Sequence, residues 1–262
     1  MPVRILFIAD VVGKAGRQAL SQELHRLVDR YAIDSVIANG ENAAGGFGIT
    51  EETARELFGL GVHLLTSGNH VWDKKEAVDF IRREEKLIRP ANYPEGAAGR
   101  GSAVIQTASG IRIAVLNLEG RVFMSPLECP FRTADREIAR LKEFTPVVVV
   151  DFHAEATSEK LALGWYLDGK ASAVLGTHTH VQTADERVLP GGTAFITDVG
   201  MTGSFDSVIG VRKELAIEKF LTQLPVRFDV AKKDVRLNCV VLEIDEISGK
   251  ALSIERLSIA CR

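Results

Sequence analysis

Short apolar runs recur through the first two thirds of the chain, and patterns typical of helices lie between them. Runs of this length without polar alternation are typical of strands buried on both faces. The clearest helical pattern places Leu20, Leu24 and Leu27 on one apolar stripe. Strands and helices that alternate in this way predict a largely parallel sheet covered by helices. The five runs are 3–9 (VRILFIA), 35–38 (SVIA), 62–66 (VHLLT), 147–150 (VVVV) and 172–176 (SAVLG).

A second kind of pattern appears after residue 100. Segments 102–107 and 111–120 flank Ser109 and Gly110 and predict a hairpin, and 226–259 predicts two or three antiparallel strands. Earlier in the chain, Thr50 is suited to cap the start of a helix. The sequence therefore predicts an α/β fold with a mixed sheet or a two-sheet sandwich, helices on the outside, and a single domain over 1–262.

Three stretches without clear periodicity are candidates for substrate-facing loops. They span 89–101, 119–132 and 197–208. Long irregular segments inside a compact domain are often functional, so we expect the substrate to lie near them.

Composition excludes several classes of protein. The formal net charge is -3 with both signs interspersed, which argues against polymeric nucleic acid as the main partner. The three cysteines lack the spacing of a disulfide framework or a thiolate zinc site. Neither a signal peptide nor a run of about 20 apolar residues is evident. The sequence thus predicts a cytoplasmic protein without a membrane segment.

Side chains able to bind metal ions follow each of the five predicted buried strands. In an open parallel sheet the carboxyl ends of the strands share one edge, where ligands bind. We therefore expect these side chains to converge at that edge. They are Asp10, Glu41, Asn42, Asn69, His70, His153, His178 and His180.

The remaining histidines, His25 and His63, lie away from the predicted strand ends and are expected to be structural. A single histidine at a strand end usually needs only a hydrogen-bond partner. The joint placement of four histidines with acidic and amide groups is what favours a metal site.

The types of the predicted ligands restrict the metal. His178 and His180 form an H-x-H pair, which strand alternation would place on one side, about 7 Å apart. Nitrogen and oxygen ligands without a thiolate suit manganese, iron or zinc. Two ions held close together need a bridging carboxylate, and Glu41 lies between the other ligands in chain order. Asp10 would then be a terminal ligand.

The order of these motifs resembles that of the calcineurin-like metallophosphoesterases. Asp10, GEN at 40–42, GNH at 68–70, His153 and GTHTH at 176–180 follow the family's D-x-H, G-D, G-N-H, H and G-H-x-H motifs. Two residues depart from the pattern. Val12 stands where the first motif has histidine, and Glu41 replaces the usual bridging aspartate. These departures, together with NGENAAGGFGIT and ITDVGMTG, resemble the YmdB-like bacterial branch, described as 2′,3′-cyclic-nucleotide phosphodiesterases.

The resemblance implies an α/β/β/α metallophosphoesterase sandwich with two metal ions per chain, iron or manganese, with zinc as the alternative. Asn42 would compensate for the histidine missing at Val12, and His70 would be the general acid. The implied ligands are Asp10, Glu41, Asn42 and His180 for one ion and Glu41, Asn69, His153 and His178 for the other.

The implied activity is hydrolysis of 2′,3′-cyclic nucleotides by a metal-bridging hydroxide. The expected partner is a small cyclic nucleotide, and self-association into a homo-oligomer is compatible with the sequence. Three alternatives stay open: a broader phosphomonoesterase or phosphodiesterase, an amidohydrolase that also uses H-x-H, and a metal-stabilised regulatory protein with weak turnover.

Overall fold

The structure, a computed structural model, describes residues 2–261. Within them lie thirteen strands and six helices. The strands are β1 Pro2–Ile8, β2 Asp10–Val11, β3 Ser35–Asn39, β4 Leu64–Thr66, β5 Ser102–Gln106, β6 Arg112–Glu119, β7 Val148–His153, β8 Ala173–Thr177, β9 Arg187–Val188, β10 Ala194–Ile196, β11 Met201–Ser204, β12 Val235–Asp245 and β13 Ala251–Ala260. The helices are α1 Gly13–Tyr31, α2 Glu51–Gly59, α3 Ala77–Arg83, α4 Pro130–Leu141, α5 Thr157–Tyr166 and α6 Lys213–Thr222.

The strands form two mixed sheets. The first has the order β2-β11-β12-β1-β3-β4, with β13 also paired to β12. The second has the order β5-β6-β7-β8-β10-β9. Neighbours β1, β3 and β4 are parallel in the first sheet, as are β6, β7 and β8 in the second. Each sheet therefore has a parallel centre and antiparallel strands beside it.

Along the central strands, successive side chains point alternately into the space between the two sheets and toward the outer helices. Ile5 and Phe7 of β1 pack between the sheets with Val149 of β7, whereas Leu6 and Ile8 pack against α1. On the other side, α4 and α5 cover the second sheet. Because both faces of these strands are buried, their sequences are continuously apolar. The result is the helix–sheet–sheet–helix sandwich that the resemblance implies.

Several local predictions are confirmed. Strands β5 and β6 form the expected antiparallel hairpin, and β12 and β13 form the C-terminal antiparallel pair. Thr50 caps α2, with its hydroxyl accepting from the Thr53 backbone N–H at 3.2 Å. Over residues 2–261, no helix combines the length and hydrophobicity needed to cross a membrane.

Candidate metal centre

The predicted ligands come from both sheets rather than from one sheet edge. Strand β2 contains Asp10, while Glu41 and Asn69 follow β3 and β4 of the same sheet. His153 ends β7, and His178 follows β8, in the other sheet. The prediction of a single edge was therefore wrong. The side chains nevertheless meet, because the two facing sheets direct these strand ends to one end of the sandwich.

Three polar atoms converge on the Nε2 atom of His153. Asn69 Oδ1 lies at 3.0 Å, Glu41 Oε1 at 3.1 Å and His178 Nδ1 at 3.0 Å. One imidazole nitrogen carries at most one proton, so a single N–H cannot satisfy three partners. The ligand atoms of Glu41, His153 and His178 lie within 4.8 Å of one another. A cation between them would satisfy the group together.

A second group adjoins the first through Glu41. Asn42 Nδ2 lies 3.1 Å from Glu41 Oε1 and 3.2 Å from His180 Nε2, and His180 Nε2 lies 3.6 Å from Asp10 Oδ2. Asp10 is fully buried, and its Oδ1 has no hydrogen-bond partner among residues 2–261. A buried carboxylate oxygen without a partner is costly unless a cation binds it. Glu41 thus lies between two groups whose carboxylate and imidazole atoms fit a metal ion, and Asn42 would bind one only with its amide turned to present Oδ1.

Burial and mutual contact set the charges of these side chains. Burial opposes ionisation of Glu41, but the charge and hydrogen bond of His153 outweigh it and lower the pKa of Glu41 to about 2. Burial likewise disfavours the charged form of His153, but Glu41 and Asp10 raise its pKa to about 9. Burial and the charge of His153 lower the pKa of His178 to about 3. A metal ion that binds His153 must therefore displace a proton.

Hydrogen bonds at Nδ1, the ring nitrogen that faces away from the cluster, orient His153 and His180. The Thr177 hydroxyl donates to Asp151 Oδ1 at 2.7 Å and contacts His153 Nδ1 at 2.9 Å, so His153 Nδ1–H donates to Thr177. His180 Nδ1 donates to the Ile209 carbonyl at 2.8 Å. Both contacts leave Nε2 directed at the cluster. Partners of this kind fix the tautomer and orientation of metal-binding histidines.

Two glycines of the GNH and GTHTH motifs allow close packing at the site. A Cβ atom on Gly68 would lie 2.2 Å from the His153 ring, and one on Gly176 would lie 1.7 Å from the Thr197 carbonyl oxygen. Any side chain at either position would displace the neighbouring group. The absence of a side chain at these two glycines therefore allows His153 and the segment that leads to His178 to lie where they do.

The H-x-H pair does not follow strand alternation. Strand β8 ends at Thr177, and His178 and His180 have φ angles of 99° and 64°. This left-handed backbone is costly for residues other than glycine, so the surroundings must hold it. The His178 N–H donates to Asp10 Oδ2 at 2.9 Å, and Thr179 between them donates to Asp198. The expectation of two histidines on one strand face was therefore wrong.

Asp198 joins this segment to a buried lysine. Its Oδ2 accepts from the Thr179 N–H at 3.1 Å and hydroxyl at 2.7 Å, and from Lys160 Nζ at 2.6 Å. Its Oδ1 accepts from the Gly200 N–H at 2.8 Å. The side chains of Lys160 and Asp198 are both 1% exposed. The ion pair thus anchors the segment that carries two predicted ligands.

His70 lies beside the cluster, at a cavity of about 360 Å³. Its backbone N–H donates to Glu41 Oε2 at 3.1 Å, while its Nδ1 lies 2.8 Å from Asp73 Oδ2. The ring packs edge-on against Phe47, with centroids 5.2 Å apart. Asp73 therefore orients the imidazole through Nδ1.

Comparison with known proteins identifies the family of the chain. Residues 6–257 match the family described as YmdB-like protein. The chain belongs to the YmdB-like protein family. The 2′,3′-cyclic-nucleotide 2′-phosphodiesterase of Bacillus subtilis (strain 168) is 53% identical over 257 residues, covering 98% of this chain and 97% of that protein.

Two solved structures are similar to this YmdB-like chain. A hypothetical protein from Thermus thermophilus is 43% identical, with a TM-score of 0.93 and coverage of 99% of this chain and 100% of that one. A novel phosphatase from Mycoplasma pneumoniae is 36% identical, also with a TM-score of 0.93, covering 99% and 94% of the two chains. The fold is thus shared across the whole YmdB-like chain.

Sequence reasoning missed several side chains that support the site. Glu155 Oε2 lies 3.1 Å from His178 Nε2, and Asp73 and Thr177 contact His70 and His153. Asp73 follows His70 by three residues, a spacing that can place two side chains together in one turn and so could have revealed it. Thr177 and Glu155 carry no comparable sequence signal.

The other expectations have mixed outcomes. His63 Nδ1 accepts from the Val36 N–H at 2.9 Å, as expected of a structural histidine, and His25 is exposed.

The three stretches expected to face substrate do not line the cavity beside His70, and 197–208 contains the buried strand β11. Segments 46–47, 209–211 and 228–230 line it instead.

Val12 stands where the resemblance implies a histidine, and in this YmdB-like chain it is buried against two glycines. It is 3% exposed, and a Cβ on Gly210 would lie 2.9 Å from Val12 Cγ1. A Cβ on Gly203 would lie 3.2 Å from Val12 Cβ. Toward these two glycines there is little space for an imidazole, although Val12 also lines the cavity beside His70.

We expect Val12→His to destabilise the protein, because the larger side chain crowds Gly203 and Gly210. Overpacking of this kind costs about 1–3 kcal/mol, or a fall in Tm of roughly 2–12 °C in a chain of this size. Thermal unfolding of metal-free protein measures the fall, and metal analysis shows whether a ligand was gained. An unchanged Tm with tighter metal binding would contradict the packing argument.

Proposed function

We propose that the chain is a metal-dependent phosphodiesterase that hydrolyses 2′,3′-cyclic nucleotides. The observation that carries this proposal is the convergence of Glu41, Asn69 and His178 on one nitrogen of His153. The similarity to the phosphodiesterase of B. subtilis supports the choice of reaction and of substrate. The fold alone would choose neither, because related folds host different reactions.

The cluster offers two sets of ligands that share Glu41. When bound, two such ions supply an activated water nucleophile near neutral pH and neutralise charge on the phosphate. The mixture of imidazole, amide and carboxylate donors suits iron or manganese, with zinc as the alternative. One set comprises Asp10, Glu41, Asn42 and His180, and the other comprises Glu41, Asn69, His153 and His178.

The remaining side chains orient groups and move a proton. Asp73 holds His70 Nδ1, so that Nε2 can donate a proton to the leaving oxygen of the diester. Thr177, itself held by Asp151, keeps His153 Nδ1 protonated and Nε2 directed at the cluster. His70 is thus the proposed catalytic acid.

Metal analysis and a substrate panel test the proposal together. We expect freshly purified protein to carry two ions per chain. It should prefer 2′,3′-cyclic AMP over 3′,5′-cyclic AMP and 4-nitrophenyl phosphate by at least about tenfold in kcat/KM, about 1.4 kcal/mol in the transition state. A clear preference for the monoester would contradict the proposed substrate. Fewer than two ions, with no activity restored by added manganese or iron, would contradict the two-metal site.

Two other functions give different results in the same assay. In amidohydrolases the H-x-H pair belongs to the first strand of a barrel, whereas His178 and His180 follow β8 of a sandwich here. A metal-stabilised regulatory protein would carry its ions but leave all phosphoesters intact. Turnover of the cyclic nucleotide by metal-loaded protein separates the proposed function from both.

A further inference from the structure

The cavity beside His70 is lined by two chemically different sets of side chains. Glu41, Asn42, His178 and His180 are polar. Much of the remaining lining is apolar, with the two aromatic rings of Phe47 and Phe228 among branched aliphatic side chains. The volume of about 360 Å³ lies within the range of pockets for small ligands. A substrate that fills this cavity must therefore carry an apolar or aromatic group next to its phosphate.

Phe47 is held directly beside the proposed catalytic acid. Its ring centroid lies 5.2 Å from that of His70, with the ring planes at 68°. The group that receives a proton from His70 must leave from a position next to this ring. In a 2′,3′-cyclic nucleotide that leaving group is a ribose oxygen, so the nucleoside lies on the Phe47 side of the phosphate.

Phe228 is supported by backbone pairing between two segments that line the cavity. The Ala231 N–H donates to the Gly210 carbonyl and the Arg212 N–H donates to the Asp229 carbonyl, both at 2.9 Å. Lys219 Nζ also lies 5.2 Å from the centroid of the Phe228 ring. These contacts hold the half-buried ring at the cavity without filling the cavity itself.

We propose that Phe47 and Phe228 form a base-binding wall that packs against the nucleobase of the substrate. The wall makes the site selective for nucleotides over cyclic phosphodiesters that lack a base. Every nucleobase has an aromatic face, and stacking on an aromatic side chain is favourable for all of them. This inference rests on the proposed function and adds the group by which the substrate is selected.

The test compares two substrates with the same diester. They are 2′,3′-cyclic AMP and ribose 2′,3′-cyclic phosphate, which lacks the base. We expect Phe228→Ala to lower kcat/KM for the nucleotide by about 5- to 150-fold, mainly through KM, because stacking of one base contributes that much. Phe47→Ala should act in the same direction. Phe228→Ala should not change kcat/KM for the base-free substrate by a comparable factor.

Three controls make the result interpretable. Phe228→Trp keeps an aromatic face and should stay near the wild-type KM for the nucleotide. Phe144→Ala removes a phenylalanine that lines a different cavity and should change neither substrate. Thermal unfolding and metal analysis report whether each variant is folded and metal-loaded.

The outcomes separate this inference from the proposed function. If the wild-type protein hydrolyses both substrates with similar KM, or Phe228→Ala slows both equally, the base-binding wall is wrong while the phosphodiesterase stands. If the wild-type protein hydrolyses neither, the proposed function fails and the wall fails with it. A loss confined to the nucleotide supports the wall.

Discussion

Replacing His70 with glutamine should lower kcat for 2′,3′-cyclic AMP by about 10²- to 10⁴-fold, the usual contribution of a positioned general acid. The metal content should not change. Glu41 Oε2 accepts from the backbone N–H of His70, which the substitution keeps, whereas the imidazole contacts Asp73 and Phe47. Steady-state kinetics and metal analysis of the same preparation give both quantities.

The leaving group supplies a sharper control for His70. Bis(4-nitrophenyl) phosphate releases a phenolate that needs no proton near neutral pH, so His70→Gln should slow this substrate much less than the cyclic nucleotide. Asp73→Asn should give a smaller loss than His70→Gln, because it disturbs only the orientation of the ring. Equal losses on both diesters, or loss of the metals, would assign His70 a structural or ligand role instead.

The sequence predicted those features of the fold that depend on neighbouring residues in the chain. Continuous apolar runs predicted the central strands because both faces of β1, β3 and β7 are buried. It did not reveal that these strands belong to two sheets. That division depends on long-range pairing, such as that of β1 with β12, whose paired residues Pro2 and Asp245 lie at opposite ends of the chain.

The same distinction holds at the candidate site. The predicted ligands could be placed near one another because each follows a buried strand, and parallel strands direct their carboxyl ends to one end of the fold. The left-handed backbone at His178 and His180 could not be predicted, since it depends on contacts with Asp198 and with Asp10, which lies 168 residues from His178 in the chain. The position of Phe228 at the cavity could not be predicted either, because it depends on backbone pairing between two segments that are separate in the sequence.

Substitution of Lys160 by methionine should cause a large loss of stability. It leaves the carboxylate of Asp198 buried without its cation, and breaking a buried pair in this way costs about 3–5 kcal/mol. For a chain of this size the fall in Tm is roughly 6–20 °C. Metal binding should also weaken, because Asp198 holds Thr179 between His178 and His180. Thermal unfolding of metal-free protein and titration with Mn²⁺ measure the two effects separately.

The matched control is Lys170→Met, which removes a lysine paired with Asp135 at 3.0 Å, with side chains 46% and 44% exposed. A surface pair contributes about 0–1 kcal/mol, so this variant should unfold close to the wild-type temperature. The double variant Lys160→Met/Asp198→Asn should regain stability, since it removes the unpaired charge and keeps an acceptor for Thr179. If Lys160→Met unfolded no earlier than Lys170→Met, or bound Mn²⁺ as tightly as wild type, the buried pair would not anchor the segment that carries His178 and His180.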